Sequence, residues 1–165
     1  MHRLRVLIPV DGYLSDDSPC NDMAETIIVR ECRHGQVRVQ FGNIIRVEGD
    51  VMVIPANNRL AGREGLDEKM QLAAGEDLRA RCTEIAVERR KEGKQPCGVG
   101  EAVTTPGFNL PAEHLIHVVG PDCRRPNQDN FRRELLLNSY NSMFEEISKI
   151  KSRETLVTPP LGMDV

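Results

Sequence analysis

Residues 50–56 read DVMVIPA, and after Asp50 no polar side chain appears until Asn57 and Asn58. A strand that is wet on one face alternates apolar with polar residues. An unbroken aliphatic run has to be covered on both faces, as the central strand of a parallel or mixed sheet is. Such a strand needs a helical layer on each side, which makes the chain α/β. The carboxyl ends of strands in these sheets open onto the crevice where ligands bind. Here that end carries two adjacent amides.

The remaining pattern agrees with an α/β chain. Residues 5–10 and 26–29 are short aliphatic runs separated by the turn-rich DGYLSDDSPCND, and VRVQF alternates before closing at Gly42. From Gly65 to about Glu92 the period becomes helical, with a break at Ala73-Ala74-Gly75. Beyond it Leu78, Cys82, Ile85 and Arg89 recur at three- and four-residue steps. EAVTTPG and HLIHVVGP read as strands. A helix then starts at Asp129 or Asn130, either a good N-cap, and runs to about Ile150. Its buried stripe is expected to hold Phe131, Leu135, Tyr140, Met143, Phe144 and Ile147. TLVTPP reads as the final strand.

Several classes of function are disfavoured. A net charge of −3 offers no positive footprint for sequence-independent nucleic-acid binding, and the run Glu88-Arg89-Arg90-Lys91 reads as a solvated helix end. Cys20, Cys32, Cys82, Cys97 and Cys123 are odd in number and form no Cys-x-x-Cys pair. That argues against a disulfide framework or a zinc knuckle, and for reduced thiols in a cytoplasmic setting. No apolar run approaches the ~20 residues of a membrane span. His114 and His117, three apart on a strand, face opposite ways and cannot share a metal. No Gly-x-Gly-x-x-Gly, phosphate loop or Gly-x-Ser-x-Gly elbow is present.

The strand-end segment carries the chemistry. An amide at Asn57 can both donate to and accept from sugar hydroxyls. The backbone at Gly62 and Gly65 can approach a ligand closely, and the following helix start favours an anion. Asp67 lies ten residues after Asn57, in the first helical turn. There it is either a working carboxylate or simply a favourable first-turn residue.

VIPANNRLAGREGLDEKMQLAAG resembles the macro domain signature, in which a strand ends in Asn-Ala-Ala-Asn and a glycine-rich loop leads through Val-Asp-Gly-Ala-Ile to Ala-Ala-Gly. PCGVGEAVTTPGFNLPAEHLIHVVGP is similar to a second family stretch, and TLVTPPLGMDV resembles the strand entering the family's second phosphate loop. The resemblance spans about residues 37–165 and leaves 1–36 as an N-terminal strand extension. It implies a three-layer α/β/α macro domain with a mixed central sheet, lacking the last strand and helices. The extra N-terminal strands would add to that sheet.

By this resemblance the ligand is ADP-ribose, free or on a modified protein, and no metal or cofactor is implied. Asn43 and Ile44 would lie at the adenine. Ala56, Asn57, Gly62, Arg63, Gly65 and Leu66 would enclose the phosphates and distal ribose. Leu161, Gly162, Met163, Asp164 and Val165 would offer backbone amides to the diphosphate, which needs no basic surface. The MacroD-type branch removes ADP-ribose from acidic side chains and deacetylates O-acetyl-ADP-ribose. Its working residues match Asn57 and Asp67, with Asn57 orienting the ribose and Asp67 positioning or activating water. The chain departs from the pattern at Asn43, where the family has Asp, at Ile54 and Pro55 in the asparagine motif, at Arg63 and Glu64 in the loop, and at Asp164. A non-catalytic ADP-ribose reader and a degenerate domain are the alternatives these departures favour.

Overall fold

The computed structural model describes residues 4–10, 25–62, 65–122, 129–151 and 153–162. The apolar run forms β4 (Gly49–Pro55). Among the described residues it lies inside a seven-stranded sheet with β1 (Leu4–Val10), β2 (Glu25–Cys32), β3 (Gly35–Phe41), β5 (Ala102–Pro106), β6 (Ala112–Val118) and β7 (Thr155–Val157), in the order β2-β3-β1-β7-β4-β6-β5. β3, β1, β7, β4 and β6 are parallel neighbours, while β2 and β5 pair antiparallel at the two edges. β1 is therefore an interior strand, paired on one side with β3 and on the other with β7.

Val51, Met52, Val53 and Ile54 are each 0% exposed, as a run covered on both faces must be. Alternation sends them to two different cores. Met52 and Ile54 pack with Met70, Ala74, Leu78 and Cys82 of α1 (Gly65–Ala74) and α2 (Glu76–Lys91). Val51 and Val53 pack with Met143 and Ile147 of α3 (Asp129–Lys149) on the opposite face. This is a three-layer α/β/α arrangement. Gly75, at φ +93, separates α1 from α2 at the expected break.

The stripe on α3 differs from the expected one. Phe131 is 58% and Phe144 47% exposed, and the buried face is carried by Ser139, Met143 and Ile147 with Leu136 and Tyr140 beside them. Phe144 is one residue past Met143, about 100° round the helix, so both cannot face one sheet. Ser139 serves the face instead, because its hydroxyl donates to the carbonyls of Leu135 and Val119. At the other end of the sheet, Asp50 Oδ2 accepts the N–H groups of Glu154 and Thr155, both at 2.7 Å. That fastens the start of β7 to the start of β4 and sets the register of Val51 with Leu156.

His114 and His117 do face opposite sides of β6. His117 is 0% exposed, and its Nε2 lies 3.1 Å from Thr105 Oγ1 on β5. Burial pushes its pKa down from 6.5 to about 4, so the ring is neutral in the fold at neutral pH. Unfolded chains take up a proton between those values and folded ones do not. Stability is thus fully present above 6.5 and falls as pH drops toward 4. The loss from this group is expected to be about 3 kcal/mol in urea unfolding between about pH 7 and about pH 4. The variant His117→Gln should remove most of that slope, and an unchanged slope would show that other groups dominate.

Candidate functional site

Parallel pairing brings the carboxyl ends of β3, β1, β7, β4 and β6 to one edge of the sheet. Asn43 and Ile44 follow β3, Ala56 and Asn57 follow β4, and Leu161 and Gly162 follow β7 by a short turn. All of these expected positions therefore share that edge. Arg63, Met163, Asp164 and Val165 lie outside the described residues.

Asn57 organises the loop that follows it. Its Oδ1 accepts the backbone N–H of Arg59 at 2.9 Å and of Ala61 at 3.3 Å, and its own carbonyl accepts the N–H of Leu60. Its Nδ2 donates to Asp67 Oδ2 at 3.2 Å. This set of partners fixes which way the amide points. Aspartate in its place would lose the donor toward Asp67 and set two carboxylates together. A hydrophobic side chain would lose all three bonds.

Asp67 is only 5% exposed, in the first turn of α1. Its Oδ1 accepts from Gln71 Nε2 at 3.0 Å, so each carboxylate oxygen receives an amide donor. Gln71 is 1% exposed and its Nε2 also reaches the carbonyl of Leu60 at 3.4 Å. Sequence reasoning passed over Gln71. The signal available was a polar residue one turn after Asp67, within the buried face shared by Met70 and Ala74.

The loop needs left-handed backbone at Leu60, Gly62 and Gly65, with φ between +53 and +60. Leu60 bears that conformation with its side chain 2% exposed in the core. At Gly62 a Cβ would stand 2.5 Å from Gln71 Cδ, so glycine is required for room as well as for φ. Gly65 has open space around it, and Leu66 packs partly against the core.

The remaining positions contribute in other ways. Asn43 Oδ1 caps the short turn Ile44–Arg46 by accepting from Ile45 N–H at 3.1 Å, which engages the carbonyl expected to meet adenine. Ile44 is 2% exposed in the core, so its side chain is structural. Ala56 donates its N–H to Val118, holding the ends of β4 and β6 together. Leu161 is buried against α3, and its N–H donates to Tyr140 Oη at 3.2 Å. Gly120, just past β6, faces Gly162, and a Cβ on it would lie in ordinary contact, 3.6 Å from the Gly162 nitrogen. Tyr140 was visible in the sequence as an apolar stripe residue, but nothing there showed where its hydroxyl would go.

Neither buried thiol among the described residues is suited to nucleophilic chemistry. Burial, with the negative charge of Asp67 adding to it, pushes Cys82 up to about 11. Burial and then Glu101 push Cys97 up to about 12. Both are protonated at neutral pH and poor nucleophiles. Among the described residues no group of three or more His, Cys, Asp or Glu is placed to hold a metal ion.

Residues 53–165 match the family model described as the Macro domain. The chain belongs to the macro domain family. It is 31% identical over 151 residues to a protein-ADP-ribose hydrolase of Staphylococcus aureus, covering 84% of this chain and 55% of that protein. It is 38% identical over 106 residues to an O-acetyl-ADP-ribose deacetylase of Escherichia fergusonii, covering 63% of this chain and 57% of that one. The chain thus spans about half the length of the curated relatives it matches. Among solved structures, the Oceanobacillus iheyensis macrodomain with ADP superposes with a TM-score of 0.75 at 26% identity, over 87% of this chain and 72% of that one. The same protein has been solved with alanine replacing an asparagine and, separately, an aspartate ten positions later.

In this macro domain Gln71 ties Asp67 to the loop. Replacing Gln71 by Leu leaves Asp67 Oδ1 and the Leu60 carbonyl without their shared donor. The expected cost is about 1–3 kcal/mol in denaturant unfolding. The variant Gly62→Ala should also destabilise, by more than about 1 kcal/mol, through its left-handed φ and the overlap with Gln71. Wild-type stability in either variant would overturn this account of the loop.

Proposed function

We propose that this macro domain binds ADP-ribose along the carboxyl ends of β3, β7 and β4, with the distal ribose at Asn57 and Asp67, and hydrolyses a bond formed by that ribose. The observation that carries the proposal is a buried carboxylate, Asp67, oriented by amide donors on both oxygens beside a glycine-bearing loop. Such a carboxylate is fixed before any ligand arrives, the condition for positioning a water molecule with little reorganisation. The printed activities of the relatives, protein-ADP-ribose hydrolase and O-acetyl-ADP-ribose deacetylase, support it. So does the asparagine–aspartate spacing of ten altered in the Oceanobacillus protein, which Asn57 and Asp67 reproduce.

In the reaction, water forms a bond to the electrophilic carbon of the ester and the bond to the leaving oxygen breaks. The proton lost by water passes through Asp67, or through a diphosphate oxygen of the substrate, to the leaving group. No cofactor enters. One observation favours the alternative of a non-catalytic reader, namely that both Asp67 oxygens are already engaged and leave fewer lone pairs for water. No helix among the described residues is long and apolar enough to cross a membrane, and the free buried Cys82 and Cys97 suit a reducing, cytoplasmic setting.

Calorimetric titration is expected to give saturable ADP-ribose binding near micromolar, ~8 kcal/mol, with AMP binding more weakly. The variant Asp67→Ala should lose turnover by roughly 10²–10⁴-fold while keeping ADP-ribose affinity within about tenfold. Equal losses of affinity and turnover would assign Asp67 a structural role. Binding without turnover in the wild type would establish the reader.

A further inference from the structure

Outside the strand-end cleft, a groove of about 270 Å³ runs between the loop after Asn57 and α2. Its floor is apolar, with Leu60, Cys82 and Ala86 each less than a tenth exposed. Its rim carries two exposed guanidiniums, Arg59 from the loop and Arg90 from the last turn of α2, with Thr83 and Val87 between them. Among the described residues no carboxylate lines it.

The two arginines differ from their neighbours. On α2, Arg79 pairs with Glu76, Arg81 with Glu84, and Arg89 with Glu101. Among the described residues neither Arg59 nor Arg90 meets an acidic side chain. The position of Arg90 near a helix C-terminus accounts for a cation there, but not for the pairing of Arg89 alone. Two unpaired guanidiniums over an apolar floor, on a chain of net charge −3, form a local field suited to a carboxylate-bearing side chain.

The groove is also joined to the candidate site. In its loop wall, Arg59 to Ala61, the N–H groups of Arg59 and Ala61 donate to Asn57 Oδ1, while Asn57 Nδ2 holds Asp67. The wall therefore begins next to the residue assigned to the distal ribose.

We propose that the groove receives an acidic stretch of the modified protein next to its ADP-ribosylated residue, so that Arg59 and Arg90 set a preference for acidic flanking sequence. This rests on the function proposed above. The contact is electrostatic and exposed, so its effect falls on KM and fades with salt.

The test compares two mono-ADP-ribosylated peptides, one flanked by alternating Asp and Leu and one by Ser and Leu, on the wild-type chain and on Arg59→Glu/Arg90→Glu. The substituted side chains are exposed, and the Arg59 N–H bond to Asn57 survives. Wild type is expected to show a KM about tenfold lower for the acidic peptide, and the double variant none of that preference, with calorimetric affinity for free ADP-ribose unchanged. Equal KM values in wild type, or a preference that persists in the variant, would overturn the assignment. If the chain neither binds nor hydrolyses ADP-ribose, the proposed function fails by itself. The groove is then read by anisotropy with the unmodified, labelled Asp/Leu peptide at low salt. Weaker binding to the double variant supports the groove and equal binding overturns it. Preference for inorganic pyrophosphate over that peptide would also overturn the peptide assignment.

Discussion

Parallel pairing aligns strand ends, and it is this alignment that gives the molecule a site. Five adjacent strands run the same way, so the loops after β3, β4, β6 and β7 open at one edge although they are far apart in sequence. The requirement is strict at β4, whose four central side chains have no exposed face. A slip of one residue would exchange Met52 and Ile54 with Val51 and Val53 between two differently shaped cores. Asn57 leaves the sheet two residues past Pro55 and is placed by that register as much as by its own bonds.

Past the strand end, control passes from packing to hydrogen bonds. Asn57 and Gln71 are neutral amides, and between them they fill both oxygens of a nearly buried carboxylate and three points on the loop. In a site of low dielectric, a network of this kind stabilises when complete and is costly when one member is lost. The same geometry explains why glycine is kept at Gly62. The Gln71 side chain occupies the volume that any Cβ there would need.

Much of this was legible in the sequence because it rests on local pattern. The unbroken run 51–54, the helix break at Gly75 and the opposed faces of His114 and His117 all follow from side-chain period. The Asn57–Asp67 spacing also pointed to residues that do meet. What periodicity could not supply was partnership across the chain. Gln71 looks like any polar helical residue until the loop folds over it. Phe131 and Phe144 look like core until α3 is rotated against β5 and β6, where Ser139 fits by bonding Leu135 and Val119. The interior seat of β1 was hidden for the same reason, since a short aliphatic strand fits an edge or a centre equally well.

That seat bears on how the molecule is made. On a ribosome, residues 4–10 emerge well before residues 155–157, yet Val6 pairs with Leu156. β3 can join β1 early, while the ladder that links this trio, with β2, to β4 has to wait for β7. Contacts so distant in sequence slow folding. Until β7 emerges, one side of β1 and one side of β4 are therefore unpaired strand edges, open to other chains. The sheet that later presents Asn57 and Asp67 is a structure most exposed to mispairing while it is being born.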